Sequence, residues 1–111
     1  MEKVIKNVEV VGILNGLNTF IQKDKDVPFK VYRAVTKNHK TLMNEYDIYD
    51  DVRRKIITEC GDNEKECLEK MQALLDEEVT VVIDMIPESV LEDVELSIKD
   101  RLALDFMVEG E

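Results

Sequence analysis

Three side chains could bind a metal ion or act in catalysis: Cys60, Cys67 and His39, the only histidine. The cysteines lie seven residues apart, and the histidine precedes the first of them by 21 residues. This is not the paired ligand spacing of a zinc site. A catalytic histidine also needs an orienting carboxylate and a nucleophile, and the sequence indicates neither. We therefore predict reduced thiols, which a regulatory disulfide could join, and a histidine packed between helices.

A dense group of carboxylates occurs in the stretch NEYDIYDD, residues 44–51. A calcium-binding loop would need oxygen ligands at alternate positions and a glycine at the sixth, which this stretch lacks. Basic residues follow at once, so that Asp50 and Arg54, for example, can pair along a helix. We predict an exposed acidic face for protein interaction, formed by Glu45, Asp47, Asp50, Asp51, Glu64, Glu66 and Glu69.

The sequence has no phosphate-binding glycine loop, no nucleophile elbow and no dinucleotide fingerprint. Its four glycines are not grouped into a loop that could surround a nucleotide. We therefore predict that the protein is not an enzyme and needs no cofactor.

Charge is distributed unevenly along the 111 residues, whose net charge is −10. Residues 1–40 carry +4 and residues 41–111 carry −14. Such a chain repels nucleic acid phosphates and attracts basic protein surfaces, although an ordinary solvated surface is the simpler alternative. No apolar run approaches the roughly 20 residues that span a bilayer, and the start does not resemble a signal peptide. We predict no direct nucleic acid binding, no membrane association and a cytoplasmic location.

The elements that must position these groups begin with a helix. Val4 and Ile5 form a short strand or a lead-in, after which Asn7 can cap a helix. Gly12 and Gly16, one turn apart, predict a close approach by another segment. The apolar face of this helix is predicted from residues spaced by three and four, namely Val8, Val11, Leu14, Leu17 and Ile21. Residues 22–27 are predicted to form a loop.

A long helix is predicted from Pro28 to about Cys60, where Gly61 can end it. After a cap at Asp62 or Asn63, a shorter second arm completes an antiparallel hairpin. The uncovered half of the long helix must pack on the first helix, the C-terminal module or a second subunit. Its apolar stripe is a candidate self-association seam, formed by Tyr32, Val35, His39, Leu42, Tyr46 and Tyr49.

The C-terminal part is predicted to contain a strand at VTVVID, residues 79–84, and a short returning strand at VELS, residues 94–97. Ser97, with Asp100 three residues later, can cap a last helix that runs to about Val108. In that helix Leu102 and Phe106 are expected to cover the long helix, while Asp105 and Glu109 face water. The predicted fold is a mainly α, α+β single domain (residues 1–111). Its parts are an N-terminal helix and loop (1–27), a helical hairpin (28–76) and a strand-turn-strand with a terminal helix (77–111).

Two stretches, YRAVTKN (Tyr32–Asn38) and LALDFM (Leu102–Met107) with its acidic tail, suggest a relationship. Together with the order of segments, they resemble a family of small proteins of unknown function encoded by tailed phages and prophages of Gram-positive bacteria. The resemblance implies a phage origin and action inside an infected host. It implies no activity and no site residues.

Three functions remain open. The first is a non-enzymatic accessory protein that binds and inhibits or modulates a host or defence protein through its acidic surface. The second is a virion structural or assembly protein of the tail or head, self-associating through the long helix as a homo-oligomer. The third is a binder of a small molecule such as a signalling nucleotide. The expected location is the host cytoplasm, or the virion for a structural protein.

Overall fold

Four α-helices and four short strands make up residues 1–109, which the computed structural model describes. These residues are 69% helical, which confirms the predicted mainly α, α+β class. The end of the predicted acidic tail, residues 110–111, lies outside the described residues. In chain order the elements are β1 (Glu2–Lys6), α1 (Asn7–Gln22), α2 (Phe29–Cys60), α3 (Glu64–Asp76), β2 (Glu78–Val82), β3 (Ile86–Pro87), α4 (Ile98–Leu104) and β4 (Val108–Glu109). Two 3-10 turns, at Glu88–Leu91 and Asp105–Met107, connect them.

Helix α2 runs along the whole molecule. Its 32 residues correspond to about 48 Å, against a longest dimension of 52 Å. The first half of α2 packs on α1, β2 and the segment that follows β2. These neighbours cover the part of α2 that α3 does not reach. Residues of the same chain therefore cover the first half of the long helix. The main core contains Leu14, Leu17, Phe20, Val31, Ala34, Val35 and Leu42 from α1 and α2.

The inward face of α1 is rotated from the predicted one. Val10 and Phe20 are buried, whereas Val8 and Ile21 are 47% and 43% exposed. Asn7 also differs from the prediction, because it is the first residue of α1 instead of its cap and is buried. Its backbone N–H donates to the carbonyl oxygen of Glu77 at 2.9 Å, and its side-chain amide donates to that of Leu74 at 2.9 Å. The start of α1 is thereby tied to the end of α3.

The small antiparallel sheet joins the N-terminal strand to a strand that directly follows α3. Strand β1 pairs with β2 in a register that runs from Glu2 opposite Val82 to Lys6 opposite Glu78. Val4 and Ile5 thus belong to a strand, as one of the two interpretations predicted. The prediction that residues 94–97 return as the second strand is wrong, because β1 occupies that position. Residues 94–97 instead lead into the cap of α4.

The last helix is shorter than predicted and turns a different face inward. Helix α4 ends at Leu104 instead of near Val108, because a 3-10 turn leads into β4, which pairs in parallel with β3. Leu104 and Met107 are fully buried, whereas Ile98 and Leu102 are 82% and 68% exposed. Phe106 is half-buried against the core. The predicted covering role of Leu102 is therefore wrong.

The close approach predicted for the glycines occurs at one of them. A Cβ atom built on Gly16 would lie 3.3 Å from the Cβ of Ala103 in α4. Nothing lies within 4 Å of the corresponding position at Gly12. Gly16 is therefore a point of close approach between α1 and α4, where a larger residue would press on Ala103.

The helical hairpin has the caps that the sequence indicates. Gly61 ends α2 with a positive φ of 51°, and the Asn63 side chain accepts a hydrogen bond from the backbone N–H of Glu66 at 3.1 Å. The prediction of reduced thiols is wrong, because a disulfide joins Cys60 to Cys67. The turn between α2 and α3 brings their Cα atoms to 5.7 Å, within the distance that a disulfide spans.

Candidate interaction surface

The second half of α2 and α3 form a projection, residues 45–76, which we call the acidic arm. No residue of α2 after Tyr46 belongs to the main core. Within the arm, Tyr49, Cys60 and Leu74 are buried between the two helices. The rings of Tyr46 and Tyr49 lie with centroids 5.8 Å apart, at the point where the arm leaves the core. The outer surfaces of the hairpin are therefore available to a partner, except at the end of α3, where Leu74 accepts a hydrogen bond from Asn7.

Two of the predicted acidic residues are neutralised by their own helices. Asp50 accepts hydrogen bonds from Arg53 at 2.7 Å and forms an ion pair with Arg54 at 3.0 Å. The hydrogen bond from Arg53 is the main cause that lowers the pKa of Asp50. Glu66 forms an ion pair with Lys70 at 2.9 Å. These carboxylates stabilise the arm locally and contribute little net charge to its surface.

The remaining predicted carboxylates are available to a partner. Glu45 is half-buried, and the other four are exposed without an ion pair among residues 1–109. These four are Asp47, Asp51, Glu64 and Glu69. The arm as a whole contains ten Asp or Glu against five Lys or Arg, a net charge of −5. Asp47 and Asp51 are one turn apart and share a face of α2.

Large aliphatic side chains are exposed beside these carboxylates. Ile48 is 61% exposed and Leu68 is 71% exposed, while Ile57 and Val52 are 49% and 37% exposed. Ile48 and Val52 follow Asp47 and Asp51 directly in sequence and are also one turn apart. A carboxylate row thus runs along α2 next to an apolar row. Exposed apolar groups bordered by charges are typical of surfaces that bind other proteins.

The residues of the predicted self-association seam do not form one surface. Val35, Leu42 and Tyr49 are buried within the single chain, and Tyr46 is half-buried. Tyr32 is 61% exposed, and His39 is half-buried with a hydrogen bond to Asn18. Half of the seam is thus already in contact with the chain's own residues. Self-association stays a prediction. The buried residues Val35, Leu42 and Tyr49 are not available for a contact with a second copy of the chain.

Sequence reasoning missed a second acidic region, in the C-terminal part. Residues 77–111 contain eleven Asp or Glu and only two Lys or Arg, a net charge of −9. Arg101 pairs with Glu88 at 3.2 Å and with Asp105 at 3.0 Å. Among the described residues of this region, six exposed carboxylates remain: Glu77 and Glu78 near the end of α3, and Glu92, Asp93, Glu95 and Glu109, which we call the C-terminal acidic patch. A count of charges within the acidic half of the sequence would have found this region.

Asp100 belongs to none of these surfaces, although it is a carboxylate. It is 2% exposed and accepts a hydrogen bond from Lys23, with Lys25 3.3 Å away. The Lys23 hydrogen bond, helped by the backbone N–H of Ser97, holds the pKa of Asp100 well below its usual range, although burial alone would raise it. Ser97 and Asp100 form the predicted capping box of α4. Asp100 therefore links α4 to the end of α1.

Asn38 is a further buried polar residue that the sequence analysis did not single out. Its amide nitrogen donates to the carbonyl oxygen of Asp84 at 2.9 Å, and its amide oxygen accepts from the backbone N–H of Asp84 at 2.7 Å. This pair of bonds connects α2 to the segment between β2 and β3. The signal was present, because Asn38 lies three and four residues from the apolar positions Val35 and Leu42.

Within residues 1–109, no group of three or more His, Cys, Asp or Glu side chains is placed to hold a metal ion. None of the described helices combines the length and apolar character needed to cross a membrane. Comparisons of the chain with protein-family models, with curated proteins and with solved structures find no match. The function must therefore be argued from the surfaces described above.

Proposed function

We propose that the protein is a non-enzymatic accessory protein whose acidic arm binds a basic surface of another protein and thereby inhibits or modulates it. The observation that carries the proposal is the arm's arrangement of charge. Asp47 and Asp51 lie without a cation partner among residues 1–109, directly beside the exposed Ile48 and Val52. The two carboxylates form no ion pair within residues 1–109 and the two aliphatic side chains are left partly exposed, so all four are accessible to a partner.

The carboxylates and the apolar groups would contribute differently to binding. Unneutralised carboxylates attract a basic surface over long range and set the orientation of the encounter. The exposed Ile48 and Leu68 would supply apolar area that is removed from water in the complex. Because Asp50 and Glu66 are already paired, we assign them to the stability of the arm instead of to recognition.

The resemblance to phage proteins favours a host or defence protein as the partner. Binding by a small acidic protein would block the basic site that the partner uses for nucleic acid or another anionic ligand. A structural role in the virion is the alternative, and it predicts that the protein is present in purified particles. These two roles can be separated by asking whether the protein remains with the particle or with a host protein.

The full-length chain is first used to capture its partner from host lysate at low salt. The captured partner is then identified and purified. Its affinity is measured by calorimetry at two salt concentrations, for the natural chain and for the double variant Asp47→Lys/Asp51→Lys. We expect the variant to bind at least tenfold more weakly at low salt, because opposite charges become like charges at the interface. Binding of the natural chain should also weaken as salt rises.

The matched control is Glu92→Lys/Asp93→Lys, which makes the same change of net charge in the C-terminal acidic patch. We expect its affinity to remain within about threefold of the natural value, because only long-range attraction changes. Equal losses in both double variants would show that net charge alone attracts the partner and would refute the arm as the site. Affinity that does not depend on salt would refute the electrostatic basis of the proposal.

A further inference from the structure

A cleft lies between the C-terminal end of α1, the loop that follows it and the first turns of α2. Its volume is about 530 Å³, within the range of roughly 300–1,000 Å³ that is usual for small-molecule sites. The cleft is at the opposite end of α2 from the acidic arm, so it is independent of the proposed protein interface. It is also more apolar than the shallow depression beside the C-terminal acidic patch.

The floor of the cleft is formed by core residues. Phe20 and Val35 are each 6% exposed, and Val27 is half-buried against the same core. Because these side chains are packed from behind by α1 and α2, the floor does not depend on a ligand for its shape. An apolar floor of this kind suits the face of a planar ring.

Polar groups converge on the cleft from both helices. His39 Nε2 donates to Asn18 Oδ1 at 2.9 Å, which joins α2 to α1 across the cleft. Tyr32, Thr36 and His39 follow one another at spacings of four and three, so they lie on one side of α2. A few fixed polar groups over an apolar floor are the usual means by which a site orients a small ligand.

Tyr32 supplies an aromatic ring at the mouth. The side chain lines the cleft although it is 61% exposed, so a bound ring could cover it. Stacking on tyrosine is favourable for any planar aromatic molecule. The neighbouring Phe29 is also exposed, at 73%, but it does not line the cleft.

Charge at the cleft favours an anion, in contrast to the rest of the surface. The cleft lies within residues 1–40, which carry +4 against −14 for the remainder. Of its two lysines, Lys25 is engaged by Asp100 and by the carbonyl oxygen of Glu95. Lys40 lines the cleft and has no ion pair among the described residues. Asp24 also lines the cleft, so its three charged lining residues carry a net charge of +1, and the anionic group is assigned to Lys40.

We propose that this cleft binds a small planar aromatic molecule that carries an anionic group. The ring lies on Phe20 and Val35 and is covered by Tyr32. The anionic group lies next to Lys40, and the Asn18–His39 pair hydrogen-bonds a polar atom of the ring. A nucleotide and an aromatic carboxylate share this chemistry, and the test distinguishes between them.

The test is a titration of the isotope-labelled full-length chain, followed by its backbone amide signals. The probes are adenosine 5′-monophosphate and 1-naphthoate, each compared with its uncharged counterpart, adenosine and 1-naphthalenemethanol. At least one anionic probe should shift the amides of Asn18, Thr36 and His39 at millimolar concentration, more strongly than its counterpart. Binding of adenosine 5′-monophosphate would indicate a nucleotide as the ligand, and binding of 1-naphthoate would indicate an aromatic carboxylate. No shift with either probe, or equal binding of the uncharged counterparts, would overturn the proposal.

Variants locate the site. Tyr32→Ala should weaken binding by roughly tenfold through the loss of stacking, and Lys40→Gln by roughly fivefold through the loss of the charge pair. Phe29→Ala is the matched control, because it removes another largely exposed aromatic ring one turn away, and it should leave the affinity unchanged. Equal weakening by Tyr32→Ala and Phe29→Ala would overturn the assignment of the cleft. Both rings are exposed, so neither variant endangers the fold.

Discussion

The two halves of α2 are stabilised in different ways. The first half lies in a core formed by distant segments, where Leu17 from α1, Leu42 from α2 and Leu104 from α4 are all fully buried. The second half, in the acidic arm, is held by its neighbour α3, by ion pairs within each helix and by the Cys60–Cys67 disulfide. We call the described residues outside the acidic arm the body. Long-range packing thus determines the shape of the body, and short-range interactions maintain the arm.

The difference between the two regions explains where surface side chains are available for binding. In the body, most large apolar residues of α2 are committed to the core. In the arm, only one side of each helix is covered, so carboxylates and aliphatic side chains remain exposed. A change in the arm should therefore affect binding more than stability, and a change in the body should affect stability first.

The largest expected effect is in the body. Leu17→Ala removes a fully buried side chain and should lower the free energy of unfolding by about 3 kcal/mol. Denaturant unfolding of the full-length chain measures this. Leu68→Ala in the arm is the control, and because Leu68 is 71% exposed, it should change stability by less than about 0.5 kcal/mol. Similar losses in both variants would contradict the contrast between the two regions.

The Cys60–Cys67 disulfide gives a second way to compare the stability of the arm with that of the body. Closing a loop as short as residues 60–67 stabilises the chain by about 2.5 kcal/mol in the chain-entropy relation. Reduction should therefore speed amide hydrogen exchange in α3 by one to two orders of magnitude, while exchange around Leu17 changes little. The double variant Cys60→Ser/Cys67→Ser should behave like the reduced chain whether or not reductant is present. If the body and the arm loosened equally on reduction, they would form one cooperative unit.

The smallest of the three effects concerns the contact between α4 and α1. Asp100→Asn removes the charge that Lys23 and Lys25 face, and should cost about 2 kcal/mol, the usual value for hydrogen bonds to a charged group. Because folding lowers the pKa of Asp100, its contribution is fully present above about pH 4 and is lost as the pH falls below that value.

Thermal unfolding between about pH 2 and pH 7 tests the role of Asp100, since its free carboxyl titrates near pH 4. The natural chain should lose stability toward acid more steeply than the Asp100→Asn variant. Asp105→Asn is a suitable control, because the Asp105 side chain is 71% exposed and pairs only with Arg101 on the surface. Parallel acid profiles for the natural chain and Asp100→Asn would show that another carboxyl is responsible.

The elements with strong local signals could be predicted from the sequence. Pro28, Gly61 and Asn63 mark the ends of the hairpin helices as predicted, and Ser97 with Asp100 marks the start of α4. The faces of α1 and α4 could not be predicted from apolar spacing. Asn7 bonds to the end of α3, and Asp100 pairs with the lysines after α1; apolar spacing within one helix does not indicate such contacts with distant segments.

The candidate acidic surface could be predicted in part. The carboxylates of the arm were found from their density in the sequence, but pairing by Arg53, Arg54 and Lys70 decides which of them remain available. The cleft beside His39 was not predicted at all. It depends on three separate segments, and the spacing of residues within one helix holds no information about the distance to another.

Local sequence was sufficient for the helical hairpin and its caps, because these depend on residues only a few positions apart, and the uneven distribution of charge follows from composition alone. Tertiary packing determined the partner of β2, the rotation of α1 and α4 and the cleft between α1 and α2. The pairing of β1 with β2 joins residues 72 to 80 positions apart, from Lys6 with Glu78 to Glu2 with Val82. Such contacts form only when the whole core is assembled, since their stabilisation must exceed the entropy lost in closing so long a loop.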